Sequence, residues 1–399
     1  MRLVLFDWQV QINETYLRVK SVVNTAEAFT PLHAPEFDIS DEQIMVDCVR
    51  SGWVSSVGNY VDEFEKKLAS VCGTTYAVAV VNGTTALQIA LQVVGVKPGD
   101  EVLIPSFTFV ATANAVCHLG AVPHFIDINE RTLGVDPSLL SSYLKSIVDF
   151  RDGISYNKTT GRRISALVPM HTFGHSVDMD PLIVVADEFN LIVVEDAAEA
   201  LGSVYKDRKC GNLGKIAALS FNGNKIITTG GGGAILTNDS ELAFRAKHIT
   251  TTAKVDHPWL FEHDEIAYNF RMPNINAALG VSQLLKLDRF VDLKRQLAER
   301  YIDKFSDHEH VNPFIEPKFS TSNYWLNTLI LSNDFSKFRD AAILYLNDRG
   351  LMSRPAWKPL HSLNIFSEFP RADLYQTDNL YRRVINIPSS PKLGLNSYE

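Results

Sequence analysis

The chain is poor in residues that staple, ligate or span. Its 399 residues hold four cysteines, Cys48, Cys72, Cys117 and Cys210, set far apart and without a CxxC pair. That spacing excludes a zinc knuckle and a disulfide framework, and leaves the reduced thiols of a cytoplasmic protein. No run of about 20 apolar residues is present, so no segment is expected to span a bilayer. The opening MRLVLFDWQV is broken by Asp7, Gln9 and Gln11 before it reaches the length of a signal segment. Positive charge is also short: 38 Lys and Arg against 46 Asp and Glu leave a net charge of −8. This balance works against a nucleic-acid partner while still allowing a local site for one anion. There is no internal repeat and no low-complexity segment.

What is present is an ordinary globular composition, 46% hydrophobic and 21% charged, on a chain longer than one core usually serves. Residues 1–30 form an amphipathic lead-in ending at the proline-bearing TPLHAP. Residues 31–285 read as a large domain and 286–399 as a smaller α+β domain, opened by the long charged helix KLDRFVDLKRQLAERYIDKF. A helix is predicted from Ser40, capped by that serine, with Asp41 and Glu42 at its positive end and Gly52 after it. A second is predicted from Val61 to Val71, stopping at Gly73. From Tyr76 short apolar runs alternate with helical segments: YAVAVV, EVLIP, VPHFIDI, ISALVPM, LIVVED and AALSF. Several are continuously apolar, as in strands covered on both faces, which predicts an α/β fold with a mostly parallel central sheet flanked by helices. The interval from Pro137 to Arg163, containing RDGISYNKTTGRR, reads as a polar, mobile, loop-rich excursion.

Chemistry concentrates at strand ends. In SFNGNKIITTGGGGAILTND an apolar strand ends, Lys225 follows in a polar turn, and Gly230–Gly233 precede another apolar run. Taken singly, a lysine there is a solvated loop residue, because lysine is seldom buried. LIVVEDAAEALGS puts Asp196 at the end of a buried strand, where ligands of open α/β sheets bind; a buried acid there needs a cationic partner, although a plain helix cap is the blander role. VVNGTTALQIAL reads as strand, turn and helix, so the N–H groups of Gly83, Thr84 and Thr85 form an anion site at a helix N-terminus. IPSFTFVATANAV sets Phe107 and Phe109 after a further strand end, where one ring could stack on a flat cofactor. The glycine run is no nucleotide P-loop, since the GxxxxGK[ST] spacing is missing.

Together the GTTAL turn, PSFTFVATANA, EDAAEALGS, SFNGNK and YNFRMPNINAALG resemble the DegT/DnrJ/EryC1/StrS sugar aminotransferases, enzymes of fold type I that use pyridoxal 5'-phosphate (PLP) and its amine form (PMP). The likeness runs from about Pro35 to about Ser390. It implies that Lys225 carries the cofactor, Asp196 pairs with the pyridine nitrogen, Glu199 neighbours the ring hydroxyl and Phe109 stacks on the ring. It further implies that Gly83, Thr84, Thr85 and Ser220 hold the phosphate, joined by Asn269 from the partner of a homodimer with shared sites. Members commonly have a glutamate in the run that is all glycine from Gly230 to Gly233 here, which puts that loop's contacts in question. SSVGNYVDEFE, TFGHSVDMD, SRPAWKPLH and NIPSS resemble the LegC-type subgroup, which implies glutamate as amino donor and C4 of a UDP-linked 2-acetamido-4-keto-6-deoxy sugar as acceptor, on the way to legionaminic or related acids. Another nucleotide-linked sugar, of the GDP-perosamine or 3-keto type, is the alternative.

Arg354, Trp357 and His361 are the candidate substrate contacts of the small domain, with Trp357 and His361 equally readable as packed residues. Where many relatives have a His-Tyr pair, this chain has Ala356 and Trp357. His171 and His175 have metal-like spacing but lack the carboxylate and helix of a metalloprotease motif, so no metal is expected. Asp127 reads as a strand-end turn residue. A sugar dehydratase on the same scaffold would carry histidine in place of Lys225, and a non-catalytic protein retaining the fold would not need the Lys225, Asp196 and Ser220 set.

Overall fold

The computed structural model of the protein describes residues 2–395, with side chains from Trp8 onward. The six predicted apolar runs and the one after the glycines form strands β1 (Tyr76–Val80), β2 (Glu101–Pro105), β3 (Val122–Ile126), β4 (Ile164–Leu167), β5 (Ile192–Asp196), β6 (Ile216–Ser220) and β7 (Gly233–Thr237). They make a seven-stranded sheet in the order β1-β7-β6-β5-β4-β2-β3. Neighbours are parallel except at β7, which runs antiparallel to both β1 and β6. Burial explains the lack of polar alternation. Val78 and Val80 of β1 enter one apolar cluster and Ala77 and Ala79 another, so successive side chains serve opposite, equally covered faces.

Because β7 is reversed, it begins at the sheet end where the parallel strands finish. The turns after β1, β2, β5 and β6 and the glycine run before β7 therefore meet at one edge, the usual place for a ligand on an α/β sheet.

The helix predicted from Ser40 spans Ile39–Ser51, but its cap is Asp38. The Asp38 side chain accepts from the Ser40 amide and the Asp41 side chain accepts from the Asp38 amide, a reciprocal arrangement that satisfies two otherwise orphaned donors. Gly52 closes the helix at φ +77°, where a left-handed residue is needed. The next helix is Asn59–Cys72, ended by Gly73.

The polar interval after Pro137 departs from its reading as a loose excursion. A helix, Pro137–Ile147, leads into an antiparallel hairpin of Val148–Arg151 and Ile154–Asn157. Asn157 and Thr160 donate to the fully buried Glu101, which His124 also meets at 2.8 Å. A buried carboxylate with that many donors pins the hairpin to the sheet.

The last third of the chain contributes helix Leu287–Phe305 and a four-stranded sheet of Val311–Pro313, Asn327–Leu331, Val384–Ile387 and Arg354–Pro355 in that order. The lead-in forms a helix, Arg2–Val23, whose Ile12, Val19 and Val22 pack with Leu297, Tyr301 and Phe305 of the long helix. Among the described residues no helix is long and apolar enough to cross a membrane.

Candidate active site

A cavity of about 330 Å³ opens where the strand ends converge. Asp196, the last residue of β5, lies almost fully buried in its wall. The Thr112 hydroxyl donates to its Oδ2 at 2.8 Å and the Ala198 amide to its Oδ1 at 3.2 Å. Burial pushes the Asp196 carboxyl up, against the pull of those two hydrogen bonds. Three residues further on, Glu199 accepts from the Phe173 amide at 2.8 Å and lies 3.3 Å from Nζ of Lys225. Its carboxyl is pushed up to about 7, first by burial, while Lys225 pulls it down and Asp196 drives it up.

Lys225 follows β6 by five residues, its ammonium 4.0 Å above the centre of the Trp325 ring. That ring is itself held by a hydrogen bond from its Nε1 to the Asn224 carbonyl. An apolar floor with one aromatic face suits an amine that must be positioned without being permanently bound.

The far wall is the turn after β1. Asn82 caps helix Gly83–Val93 by accepting from the Thr85 amide, and the Thr85 hydroxyl donates to the Asn82 carbonyl. Thr85, expected to contribute its amide, therefore spends both groups inside the turn, and it does not line the cavity. Gly83 and Thr84 do. Gly83 must be glycine, because a Cβ there would sit 2.8 Å from Cβ of Ser220. A Cβ on Gly233 would lie 2.4 Å from the Asn82 carbonyl, and one on Gly232 would strike Met272. The glycine run thus lets β7 press against the turn. Gly231 alone in the run has open space around it, so a side chain would fit there.

Of the two phenylalanines, Phe107 is fully buried against Phe173, whereas Phe109 is 51% exposed and lines the cavity with Trp357. Only Phe109 has a free ring face. Ser220 and Gly83 complete the predicted set in one place.

Other predicted residues lie elsewhere. Asn269 is exposed, accepts from Arg271 Nε at 3.0 Å and does not line its own chain's cavity. His361 holds Ser106 Oγ at 2.8 Å and faces Asp378 at 3.4 Å, joining two chain segments outside the cavity. Arg354 lines a neighbouring cavity. His171 is paired with buried Glu195 at 2.9 Å, and His175 sits neutral between Phe314 and Tyr324, held down to about 3 by burial. Asp127 is more than a turn residue: it accepts from the Gln376 and Thr377 amides and the Thr377 hydroxyl. The sequence reading passed over Asn82, Thr112 and Trp325. Asn82 was accessible as an asparagine directly before a helix, whereas Thr112 and Trp325 meet their partners only through the fold.

The site holds two buried carboxyl groups and one lysine, so it is short of positive charge, and an isolated buried acid is costly. A flat aromatic ring that brings its own cation for Asp196 and an anionic tail for the free amides of Gly83 and Thr84 supplies what is missing. Pyridoxal 5'-phosphate has both features, and the class thereby defined is that of the PLP-dependent enzymes.

The chain belongs to the DegT/DnrJ/EryC1/StrS aminotransferase family, whose model matches residues 36–399. It is 35% identical to GDP-perosamine synthase of Caulobacter vibrioides over 359 residues, covering 89% of this chain and 92% of that one. It is 31% identical to the spore coat polysaccharide biosynthesis protein SpsC of Bacillus subtilis over 390 residues, covering 94% and 95%. Among solved structures, a family aminotransferase from Brucella abortus superposes with a TM-score of 0.80 at 28% identity, covering 88% of this chain and 90% of that chain. The protein is a PLP-dependent sugar aminotransferase.

Proposed function

We infer that the protein transfers an amino group from glutamate to C4 of a nucleotide-linked 4-keto-6-deoxy sugar, in the cytoplasm, for surface-glycan or nonulosonic acid synthesis. The observation that carries the reading is Lys225 between a buried acid and an aromatic face, in a cavity shared with Asp196 and the Gly83–Thr84 turn. When bound, PLP supplies an electron sink for the carbanion of the substrate.

The chain's own residues do the rest. Asp196 would pair with the ring nitrogen and favour its protonated form; Thr112 and the Ala198 amide hold the carboxylate in place. Gly83, Thr84 and Ser220 would hold the phosphate, and Phe109 would stack on the ring. Glu199, 3.3 Å from Nζ of Lys225, would neighbour the ring hydroxyl. Lys225, which lines the cavity, would carry the cofactor and serve as the base that moves the substrate proton.

The domains are 31–285, which holds the cofactor, and 286–399, joined by the N-terminal helix. Shared sites in a homodimer are supported by Asn269, exposed and outside its own cavity, and by the exposed Trp53, Val54 and Val57, of which Trp53 and Val57 line a separate cavity. Apolar side chains grouped on a surface mark contact with another molecule.

The sequence likeness favours a UDP-linked 2-acetamido sugar. The relatives named GDP-perosamine synthase favour a GDP-linked sugar, and this second reading stands beside the first. The test is to mix the cofactor-loaded protein with UDP-linked and GDP-linked 4-amino-6-deoxy sugars and follow the visible absorption of the cofactor. One of them should convert it to PMP. Conversion by neither, with conversion by a 3-amino sugar instead, would overturn the C4 assignment.

A further inference from the structure

Thr108 stands just before helix Val110–His118 and Thr112 in its first turn, and both are buried. A threonine in a helix ordinarily turns its hydroxyl back to the carbonyl four residues earlier. Thr15 does so to Gln11 at 2.8 Å, and Thr250 to Ala246 at 2.7 Å. Thr112 does not. Its hydroxyl donates to Oδ2 of Asp196 at 2.8 Å, and on its other side it meets the hydroxyl of Thr108 at 2.9 Å.

Counting protons fixes the direction of both bonds. An ionised carboxylate only accepts, so the one hydroxyl proton of Thr112 goes to Asp196 and Thr108 must donate to Thr112. Among the described residues Thr108 Oγ1 has no other partner. Its bond fixes the Thr112 rotor, which keeps the Thr112 proton on Asp196 and off the Thr108 carbonyl. A hydroxyl that is itself receiving a hydrogen bond also donates more strongly, by about 10–30%.

Asp196 needs that support. Burial is the largest influence on its carboxyl and pushes it up, and the Thr112 bond leads the groups that oppose burial. The Ala198 amide, Lys225 and His171 add to the opposing pull, while Glu199 faces Asp196 as a second acid.

We propose that Thr108 is a positioning residue for Asp196: acting through Thr112, its hydroxyl holds the carboxyl in the ionised form that a cationic ring requires. The use of that ion pair rests on the aminotransfer reading above, whereas the chain from Thr108 to Asp196 rests on hydrogen bonds alone.

Infrared difference spectra of the cofactor-free protein follow the Asp196 carboxyl as it titrates, with Asp196→Asn identifying its band. Thr112→Val, which keeps the shape and removes the hydroxyl, should raise the midpoint by about one to two units, the size of a hydrogen bond to a charge. Thr108→Val should raise it by about half a unit. Thr108→Ser, which keeps the hydroxyl, should restore the wild-type midpoint. The double variant Thr108→Val with Thr112→Val should titrate as Thr112→Val does, because Thr108 acts only through Thr112. Should Thr108→Val not fold, Thr108→Ala supplies the same comparison. In the cofactor-loaded protein the rate at which glutamate converts the cofactor should fall in the same order, with the half-saturating glutamate concentration unchanged.

A folded Thr108→Val with the wild-type midpoint would make Thr108 merely structural and overturn the proposal, whatever happens to the melting temperature. A rise that Thr108→Ser does not reverse would assign the effect to packing and overturn it as well. So would a Thr108→Val rise that persists on top of Thr112→Val, since Thr108 would then reach Asp196 by another route. Midpoints in the expected order, in a protein whose cofactor neither glutamate nor any nucleotide amino sugar converts, would uphold the hydroxyl chain and overturn the aminotransfer reading instead.

Discussion

Replacing Glu199 by glutamine removes a proton that the folded, cofactor-free chain holds and the unfolded chain does not. The folded carboxyl is pushed up to about 7 from an ordinary 4.5, with burial the leading cause. Between those values the native state binds more protons than the unfolded state, so stability falls as pH rises through the window. Below it both states are protonated and above it both are ionised, so the contribution is flat at either end. The gap between 4.5 and about 7, at about 1.36 kcal/mol per unit, corresponds to roughly 3 kcal/mol. Urea unfolding of the cofactor-free wild type and Glu199→Gln, at about pH 5 and about pH 7.5, reads this directly. The wild type should lose most of that amount relative to the variant on going to the higher pH. Comparing the two proteins cancels the slopes of Glu195 and Glu101, whose carboxyls are also shifted. Parallel pH dependences would refute the account of Glu199 as a buried group that exchanges its proton on folding.

Lys225→Ala should lose turnover by more than about a thousandfold, since no other amine lies in the cavity to act as base; a rate above that limit in a coupled assay for glutamate consumption would sink the assignment. Asp196→Asn should bind cofactor yet turn over at least about a hundredfold more slowly, because the anion turn lies on a different segment; wild-type rates would remove Asp196 from its role. Gly83→Ala should weaken cofactor affinity, measured by retention on dialysis, since the new methyl meets Ser220; undiminished affinity would mean that the turn does not hold the phosphate. Mixing inactive Lys225→Ala with inactive Asn269→Asp subunits should restore activity, because one of the two sites in a mixed dimer then has both wild-type residues. Persistent inactivity despite proven subunit exchange would place Asn269 outside the partner's site.

The strands were legible because burial on both faces writes itself as unbroken apolar runs, and the site was legible because its residues follow those runs. The reversal of β7 was not, since AILT reads the same in either direction. The Asp38 cap was missed by two residues because Asp38 and Ser40 are both good caps, and the reciprocal bond with Asp41 decides between them. The hairpin after Val148 looked loose because its anchor is Glu101, over forty positions earlier in the chain. Thr112 and Trp325 escaped for the same reason: their partners, Asp196 and Asn224, are brought to them only by the sheet and the last third of the chain. His361 could be read equally as a substrate contact or as a packed residue, and its partners Ser106 and Asp378 come to it only through the fold.

The N-terminal helix lies wholly upstream of residue 36, where the match to the family model begins. Yet it fills the groove between helix Leu287–Phe305 and helix Arg339–Asp348, and its Val19 has no exposed surface. The family match and the cooperative fold therefore have different borders on this molecule. Trimming the chain to residues 36–399 would bare a greasy furrow on the C-terminal half, and the shortened protein would clump for reasons unrelated to its catalytic machinery.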